Sequence, residues 1–524
     1  MITPPSLSDL RILIRNNTLA DETERVRALL IDAETPEAAR RAAQEKAASF
    51  IRAARAEAAR SSLVDKFLQE YGLSTAEGVT LMRLAEALLR TPDAATVDAL
   101  IKDKVESGDW AAHKGKSPFP LVNFSTRGLM LTAAWLDEIE GGGRAQKVAR
   151  ATKDLLDRVG EPVIRGAVAQ AMKLLGEHFV LGETIGEAQR RAKGYAKAGY
   201  NFSFDMLGEA AHTEADAQKY FCDYETAIAD IAKTADKERA VDNPGISVKL
   251  SALHPRYEYG KRDRVLMELG DRVRRLAIQA KEANIGFNID AEEAARLDLS
   301  LDLIEALMRD PKLQDWEGFG VVVQAYQRRA PFVIDWLAAL ARETGRRIMV
   351  RLVKGAYWDS EIKRAQVMGL GSYPVFTRKV STDVSYQACA KKLFANADII
   401  YPQFATHNAL TAALVREMAS DVTEYELQRL HGMGEALHDS LIKTGLKSRI
   451  YAPVGGYREL LPYLVRRLLE NGANSSFVNQ LFDPETSIDD IVADPVQDAK
   501  ALNVIPNTAI PAPRDLFNGT RLLA

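Results

Sequence analysis

The sequence is poor in cysteine, with only Cys222 and Cys389 among 524 residues. The two lie far apart in the chain, so neither a disulfide framework nor a zinc or redox pair of cysteines is predicted. Such low cysteine usage is typical of a reducing compartment, and we expect a cytoplasmic location. The sequence contains no HExxH motif and no close cluster of histidine and aspartate, so it indicates no metal site.

Long apolar runs and an excess of basic charge are also missing. No stretch of 18 apolar residues occurs, so we expect no membrane-spanning helix. The N-terminus lacks the basic and apolar regions of a signal peptide. The formal net charge is -3, and the N-terminus shows no short strand followed by two basic helices. We therefore expect no nucleic-acid partner. The sequence does not indicate an oligomeric state.

The first 195 residues are predicted to be helical throughout. Residues 20–115 are rich in Ala, Glu, Arg and Leu, and most of these residues are strong helix formers. Alanine dominates the apolar positions of its first part, which is typical of an arm that packs on another part of the protein. We divide this region into a helical arm, 1–60, and a helical domain with its linker, 61–195.

Short β-rich segments alternate with helical ones in the rest of the chain. Most of these segments are apolar without strict alternation, as in parallel strands that are buried on both faces. The eight segments are 202–207, 245–250, 286–292, 320–326, 348–355, 399–406, 426–432 and 449–455. They predict an α/β fold, a (β/α)₈ TIM-like barrel over 196–482. A doubly wound sheet is less favoured because no GxGxxG follows the first strand. Residues 483–524 are predicted to be a linker.

Polar residues lie at the carboxyl ends of these predicted strands, where barrel enzymes carry their active sites. Burying so many polar groups costs free energy unless they are paired or functional. Lys249 and Lys354 could form Schiff bases, or they could hold an anionic substrate or cofactor. Both interpretations stay open from the residues alone. The set as a whole suits a large, flat, phosphate-bearing cofactor.

The segment after the eighth predicted strand carries two adjacent arginines. On a helix, one face would present Tyr463, Arg466, Arg467 and Glu470. A solvated helix face is one interpretation of this pattern. The position beside the rim favours the other, in which two guanidinium groups bind a carboxylate through forked hydrogen bonds.

Several long motifs resemble the proline dehydrogenase half of the bacterial bifunctional flavoenzymes called proline utilization A. They include "FSFDMLGEAA", "SVKLSALHPRYE", "RLVKGAYWDSEIKRAQ", "YPQFATHN", "LHGMGEAL" and "RIYAPVGGYRELLPYLVRRLLENGANSSFVNQ". The resemblance implies a distorted barrel whose eighth helix lies above the rim. It also implies FAD bound at the rim and proline held between the flavin and that helix.

The resemblance assigns roles to individual residues. Lys249, Arg466 and Arg467 would hold the proline carboxylate. The proline pocket would be completed by Leu352, Tyr357, Tyr451 and Tyr463, with Asp290 as a polar residue, Glu470 paired with an arginine and Asp205 paired with Arg467. FAD would contact Gln324, Arg351, Lys354, Gly355, Tyr357, Trp358, Lys379, Thr382, Thr406, His407, Asn408 and Gln428.

The implied reaction is hydride transfer from C5 of L-proline to N5 of FAD, which yields Δ1-pyrroline-5-carboxylate. Electrons would pass to a membrane quinone during transient contact with the inner membrane surface. Full-length members of the family continue into an NAD-dependent glutamate-semialdehyde dehydrogenase. The sequence shows no such region, so we expect a fragment of a bifunctional parent. The alternatives are a Schiff-base lyase or aldolase, and a non-enzymatic helical interaction protein.

Overall fold

The computed structural model describes residues 5–58, 179–456, 480–481 and 486–516. The chain divides into two compact units. The first comprises Met1–Arg52, Thr184–Val454 and Ser487–Ala524, and the second comprises Ala53–Glu183 and Gly455–Thr486. The first and last of these segments therefore belong to the same unit as the predicted barrel. The predicted domain boundaries near residues 60, 195 and 482 stay predictions.

Eight parallel strands form a closed barrel, in which the first strand pairs with both the second and the last. The strands are β1 (Tyr200–Met206), β2 (Gly245–Val248), β3 (Gly286–Ile289), β4 (Phe319–Gln324), β5 (Ile348–Val353), β6 (Ile400–Ala405), β7 (Glu426–Leu430) and β8 (Ser448–Val454). Each strand overlaps its predicted segment. The predicted (β/α)₈ barrel is confirmed.

Helices connect the successive strands and also precede and follow the barrel. Before β1 lie α1 (Leu7–Asn16), α2 (Glu22–Ala33), α3 (Glu37–Ala58) and α4 (Ile185–Lys197). Between the strands lie α5 (Glu214–Ala232), α6 (Arg262–Glu282), α7 (Leu297–Met308), α8 (Ala330–Thr344), α9 (Trp358–Met368), α10 (Lys379–Phe394), α11 (Ala409–Ala419) and α12 (Glu435–Lys443). After β8 lie α13 (Ile488–Ile491) and α14 (Pro495–Lys500). The predicted eighth barrel helix lies outside the described residues.

Local sequence determines where the barrel helices begin and end. The Thr213 hydroxyl accepts the Asp216 N–H, and the Asp216 carboxylate accepts the Thr213 N–H, which forms a capping box at the start of α5. The Asn408 side chain accepts the Thr411 N–H at 2.9 Å and caps α11. Gly345 ends α8 in the left-handed conformation that glycine adopts without strain. These caps fix the starts of α5 and α11 and the end of α8.

The interior of the barrel is polar, whereas barrels of this class are usually filled by branched aliphatic side chains. The Glu426 carboxylate accepts hydrogen bonds from Arg449 at 2.6 Å and from Gln428 at 2.7 Å. A Cβ atom at Gly320 would collide with the Asn288 side chain, so β4 requires glycine at this inward position. Buried polar groups destabilise a fold unless they are hydrogen-bonded. A polar barrel interior is therefore stable only when its side chains bond to one another.

The C-terminal residues pack on the barrel unit. One apolar cluster joins α2, the start of α10 and the C-terminal tail, and its members are Val26, Leu29, Ala33, Phe376, Val384, Ala388, Val496, Ala499 and Ile505. The described part of the predicted linker thus contains two short helices and contributes to a buried core. Both the arm and the tail reach the same side of the barrel, beside α10.

Candidate active site

The ends of β1, β2, β3 and β8 bring four of the predicted residues together. The Lys249 ammonium lies 2.5 Å from Asp205 Oδ1 and 3.4 Å from Asp290 Oδ2, and it donates to the Tyr451 hydroxyl at 3.3 Å. The Tyr451 hydroxyl in turn donates to Asp290 Oδ2 at 2.6 Å. Asp205 and Lys249 are buried, whereas Asp290 and Tyr451 are partly exposed. The cluster is therefore reached from the side of Asp290 and Tyr451.

Arg351 extends from β5 across the barrel and joins this cluster. Its NH1 donates to Asp290 Oδ1 and to Ser247 Oγ, both at 3.1 Å, and its NH2 donates to Ser203 Oγ at 3.1 Å. The guanidinium carbon lies 5.1 Å from the centre of the Tyr451 ring. Sequence reasoning missed Ser203 and Ser247. A signal was present, because each lies two residues before a predicted site residue and so on the same face of its strand.

The electrostatics of the cluster keep Lys249 charged and Tyr451 neutral. Burial lowers the pKa of Lys249, but Asp205, Tyr451 and Asp290 outweigh it, and the pKa lies well above its usual value. Burial raises the pKa of Asp205 and the nearby ammonium opposes this rise. One proton lies between Lys249 and Asp205. It stays on Lys249 because Asp290, a second carboxylate, also faces the ammonium group. Burial, with Asp205 and Asp290, raises the pKa of Tyr451, which remains a phenol.

The charge state of the two lysines bears on the Schiff-base interpretation. A lysine must lose its proton before it can attack a carbonyl. The raised pKa of Lys249 opposes that loss. Lys354 Nζ lies 2.5 Å from Asp383 Oδ1, in an ion pair that also favours the ammonium form. The geometry therefore favours anion binding over Schiff-base chemistry for both residues.

A second charged group lies where β5 ends and α10 begins. Lys379 Nζ donates to Asp383 Oδ2 at 2.8 Å, on the carboxylate that Lys354 also contacts. Burial opposes ionisation of Asp383, but the two lysines lower its pKa below the usual value. Two ammonium groups around one carboxylate carry a net positive charge, which suits a phosphate. Thr382 is buried in the first turn of the same helix. Sequence reasoning did not select Asp383.

The segment that follows β5 is shaped by one glycine and one indole. Gly355 has φ +138°, and a Cβ atom there would collide with the Tyr326 ring. Glycine is therefore required for the chain to turn out of the strand. Tyr357 directly precedes α9, and Trp358 begins it. The Trp358 Nε1–H donates to the Phe376 carbonyl oxygen at 2.8 Å, which fixes the orientation of the indole.

The predicted residues at the ends of β4, β6 and β7 make hydrogen bonds within the barrel. The Gln324 amide donates to the Glu292 carbonyl oxygen at 2.8 Å. His407 Nε2 accepts the Leu430 N–H at 3.0 Å. The Thr406 hydroxyl oxygen accepts the N–H of Asn408, two residues later in the chain, at 3.1 Å. These bonds give the side chains fixed positions at the rim.

Leu352 differs from the other predicted pocket residues. It is fully buried, and it follows Arg351 on β5. Because Arg351 points into the barrel, the alternation of side chains along a strand places Leu352 on the outer face. This placement favours packing against the helices over the predicted contact with the proline ring.

The predicted carboxylate-binding helix lies outside the described residues. Tyr463, Arg466, Arg467 and Glu470 lie outside the described residues, so their predicted roles stay predictions. The predicted pairing of Asp205 with Arg467 is likewise untested. Among the described residues, Asp205 is paired with Lys249.

The side chains at the rim fit FAD. Arg351 Nε and Gln428 Oε1 are buried and lack hydrogen-bond partners within the described part of the chain. Other buried side chains of the described residues also hold such atoms, but these two lie at the rim, where a bound polar ligand could satisfy them. The positive group of Lys354, Lys379 and Asp383 offers charge for a pyrophosphate. A flavin dinucleotide needs polar contacts to its ring and positive charge beside its pyrophosphate.

A buried histidine supports the rim from behind. His438 Nε2 contacts the Thr406 carbonyl oxygen at 2.9 Å, and His438 Nδ1 contacts Ser448 Oγ at 2.8 Å. A carbonyl only accepts, so we assign the proton to Nε2 and the acceptor role to Nδ1. Burial lowers the pKa of His438 to about 3, although the bond to Thr406 opposes this.

We expect His438 to make the fold sensitive to acid. The unfolded histidine binds a proton near pH 6.5 and the folded one only near pH 3, so stability falls as the pH drops through this range. At pH 5 the loss is about 2 kcal/mol. Urea unfolding at pH 5 and pH 7 measures it. His438→Gln should lose this part of the pH dependence, and His212→Gln, at an exposed histidine, should keep it. Equal pH dependence in wild type and His438→Gln would contradict the assignment.

Comparison with known proteins shows the family. The model described as "Proline dehydrogenase" matches residues 188–480, more than half of the chain. A second model, "DNA-binding domain of Proline dehydrogenase", matches residues 63–179. The chain belongs to the proline dehydrogenase family.

Relatives and solved structures agree with this membership. The chain is 48% identical over 538 residues to "Bifunctional protein PutA" of Escherichia coli (strain K12), which covers 99% of this chain and 40% of that protein. It is 28% identical over 317 residues to "Proline dehydrogenase 1" of Bacillus subtilis subsp. natto, with 60% and 92% covered. A crystal structure of a mutant Bradyrhizobium japonicum proline utilization A matches with TM-score 0.74 and 47% identity, over 95% of this chain and 50% of that one. The chain thus spans about 40% of the length of the bifunctional relatives.

The matches confirm the predicted resemblance, and family membership supports an oxidoreductase that acts on proline. The match of residues 63–179 runs against the expectation of no nucleic-acid partner. That expectation was based on the N-terminus, which precedes the matched residues, and on the net charge of the whole chain, which does not describe a single domain. In the ranges that the structure describes, no helix combines the length and apolar character needed to cross a bilayer. The same ranges contain no cluster of side chains able to bind a metal ion.

Proposed function

We propose that the barrel oxidises L-proline to Δ1-pyrroline-5-carboxylate with FAD as the hydride acceptor. The observation that supports this most directly is the cluster at the strand ends, where Lys249, Arg351 and Tyr451 surround Asp290. A buried ammonium and a buried guanidinium at one rim suit a carboxylate substrate and a site where negative charge develops. Membership of the proline dehydrogenase family supports proline as that substrate.

Lys249 would bind the proline carboxylate through one of its N–H groups. An ammonium has three donors, and Asp205 and Tyr451 accept two of them. The third faces Asp290 at 3.4 Å, beyond the length of a good hydrogen bond. A substrate carboxylate would take this donor. Arg466 and Arg467 would complete the carboxylate site, as the resemblance implies.

Tyr451 would form a wall of the proline pocket and hold Asp290 in place. Its hydroxyl stays protonated and donates to Asp290, which keeps this carboxylate between Lys249 and Arg351. The partly exposed ring offers an apolar surface to the proline ring. Proline must lose its amine proton before hydride leaves C5, because the nitrogen lone pair assists that departure.

FAD would be held by Arg351 and Gln428 at the ring and by Lys354 and Lys379 at the pyrophosphate. When bound, FAD supplies the two-electron acceptor for the hydride that leaves C5. Arg351 would supply a positive charge to stabilise the negative charge that appears on reduction. Electrons would then pass to a membrane quinone during transient contact with the membrane surface. A second, NAD-dependent activity on glutamate semialdehyde would belong to a longer parent protein.

The purified protein is expected to be yellow, and anaerobic addition of L-proline should bleach the flavin absorbance. D-proline, of the same size and charge but opposite hand, should bleach it far more slowly. Absorbance spectra recorded during the titration make the measurement. A colourless protein that borohydride traps with a keto substrate would favour the Schiff-base lyase. A colourless protein without such an adduct would favour an interaction protein.

A further inference from the structure

One peptide group in the connection between α9 and α10 is held from two opposite sides. The N–H of Thr377 donates to Glu22 Oε1 at 2.7 Å. The carbonyl oxygen of Phe376 accepts the Trp358 Nε1–H at 2.8 Å. This N–H and this carbonyl belong to the same planar peptide, so a rotation that changes one contact changes the other. A carboxylate on the N-terminal arm is thereby linked to an indole at the rim.

Glu22 is fully engaged in this contact. It is the first residue of α2 and is only 4% exposed. Its two carboxylate oxygens lie 3.1 and 3.0 Å from the Thr377 hydroxyl, and Oε2 also accepts from Arg328 NH2 at 3.0 Å. Arg328 NH1 donates to the Ala20 carbonyl oxygen and to the Ser372 hydroxyl at 2.8 Å. A buried pair of this kind is disrupted strongly when one partner is removed.

The C-terminal tail holds the same connection from another direction. The Asn507 N–H donates to the Thr377 hydroxyl oxygen at 2.8 Å. The Arg378 guanidinium donates to the carbonyl oxygens of Ile505 at 2.9 Å and Pro506 at 3.2 Å. The Phe376 side chain is fully buried in the apolar cluster with α2. Arm and tail therefore leave the Phe376–Thr377 peptide little freedom to move.

We propose that Glu22 is a positioning residue for the FAD-facing segment Lys354–Trp358. It fixes the Phe376–Thr377 peptide, and this peptide fixes the indole that ends the segment. The cofactor part of this inference rests on the proposed function. An arm helix distant in sequence from the barrel thus helps to set the geometry of the cofactor site.

The first test measures the connection itself. Glu22→Gln keeps the shape of the side chain and removes its charge, and Glu24→Gln makes the same change at an exposed carboxylate in the same helical turn. In the FAD-loaded protein, amide hydrogen exchange over residues 371–378 should rise about tenfold in Glu22→Gln, as for loss of a charged hydrogen bond. It should stay unchanged in Glu24→Gln. Unchanged exchange in Glu22→Gln would overturn the proposal.

The second test asks whether Glu22 acts through Trp358. Glu22→Gln and Trp358→Phe should each raise the FAD dissociation constant about fivefold, as for loss of one hydrogen bond. The double variant should be little worse than either single one, because both break the same chain of contacts. Equal FAD affinity in Glu22→Gln and wild type, or fully additive losses, would leave Glu22 a merely structural residue and refute the positioning role.

A further variant allows both tests to be made even if Glu22→Gln does not fold. Thr377→Val removes the hydroxyl contacts with Glu22 and with the Asn507 N–H but keeps the Thr377 N–H contact with Glu22, and about a threefold rise in both quantities is expected. Wild-type protein without affinity for FAD would refute the proposed function and the cofactor part of this inference together. Hydrogen exchange measured without FAD would still show whether Glu22 holds residues 371–378, so the two failures can be told apart.

Discussion

Lys249→Met is expected to lower the free energy of unfolding by about 3–5 kcal/mol, as for one partner removed from a buried ion pair. The Asp205 side chain is 0% exposed and loses the ammonium that lies 2.5 Å away. Asp205 would then be buried near a second carboxylate, Asp290, without the Lys249 ammonium that contacts both. Equilibrium urea unfolding at pH 7 measures the loss. Lys261→Met, which removes an exposed lysine outside the cluster, should change stability by only a few tenths of a kcal/mol.

The same change separates stability from substrate binding when Asp205 is replaced as well. Removing both charges is often close to neutral, so Asp205→Asn combined with Lys249→Met should regain most of the stability. The double variant should still bind proline weakly. The loss of one charged hydrogen bond to the carboxylate raises KM roughly 10- to 100-fold. If the double variant regained a wild-type KM, Lys249 would have no part in holding proline.

Arg351→Met is expected to slow flavin reduction by proline about 100- to 1,000-fold at saturating substrate, the usual effect of removing a donor at a site of developing charge. Arg351 is 3% exposed and bonds to side chains of β1 and β2 and to Asp290, which directly follows β3. Stopped-flow absorbance under anaerobic conditions gives the rate constant.

A second buried arginine provides the control for this experiment. Arg346 precedes β5, is equally buried, and donates to the carbonyl oxygens of Leu307 and Met308. Arg346→Met should lower stability but leave the rate of flavin reduction close to wild type. If both variants slowed reduction equally, the effect of Arg351 would reflect disturbance of the barrel and not its charge at the rim.

The sequence predicted the barrel because its strands are buried on both faces and therefore read as short apolar segments. It also predicted that Lys249, Asp290, Arg351 and Tyr451 lie together, since the carboxyl ends of parallel strands meet at one rim. The sequence predicted less well which of these side chains pair with one another. The pairing of Asp205 with Lys249 was not predicted, and the predicted pairing of Asp205 with Arg467 stays a prediction. Neighbouring strand ends offer several oppositely charged partners, and only the geometry selects among them.

Contacts between distant parts of the chain could not be predicted. Glu22 and Thr377 are separated by 355 residues, and no local pattern marks either as part of one hydrogen-bonded group. Asp383 was overlooked because it lies within a helix and four residues after Lys379, a spacing at which ion pairs on a helix surface are common for reasons unrelated to function. The tail was predicted to be a linker from its prolines. Its packing depends on apolar residues that are too few to form a periodic pattern.

The hydrogen-bonded polar side chains along the barrel axis also restrict which amino-acid exchanges the barrel tolerates. In an aliphatic interior, one residue can shrink or grow and its neighbours adjust by small shifts. Here Glu426 is bound by Arg449, and each would be left as an isolated charge without the other. An amino-acid exchange at either position is tolerable only with a matching exchange at the other. Variants of this barrel should therefore change at these two sites as a pair.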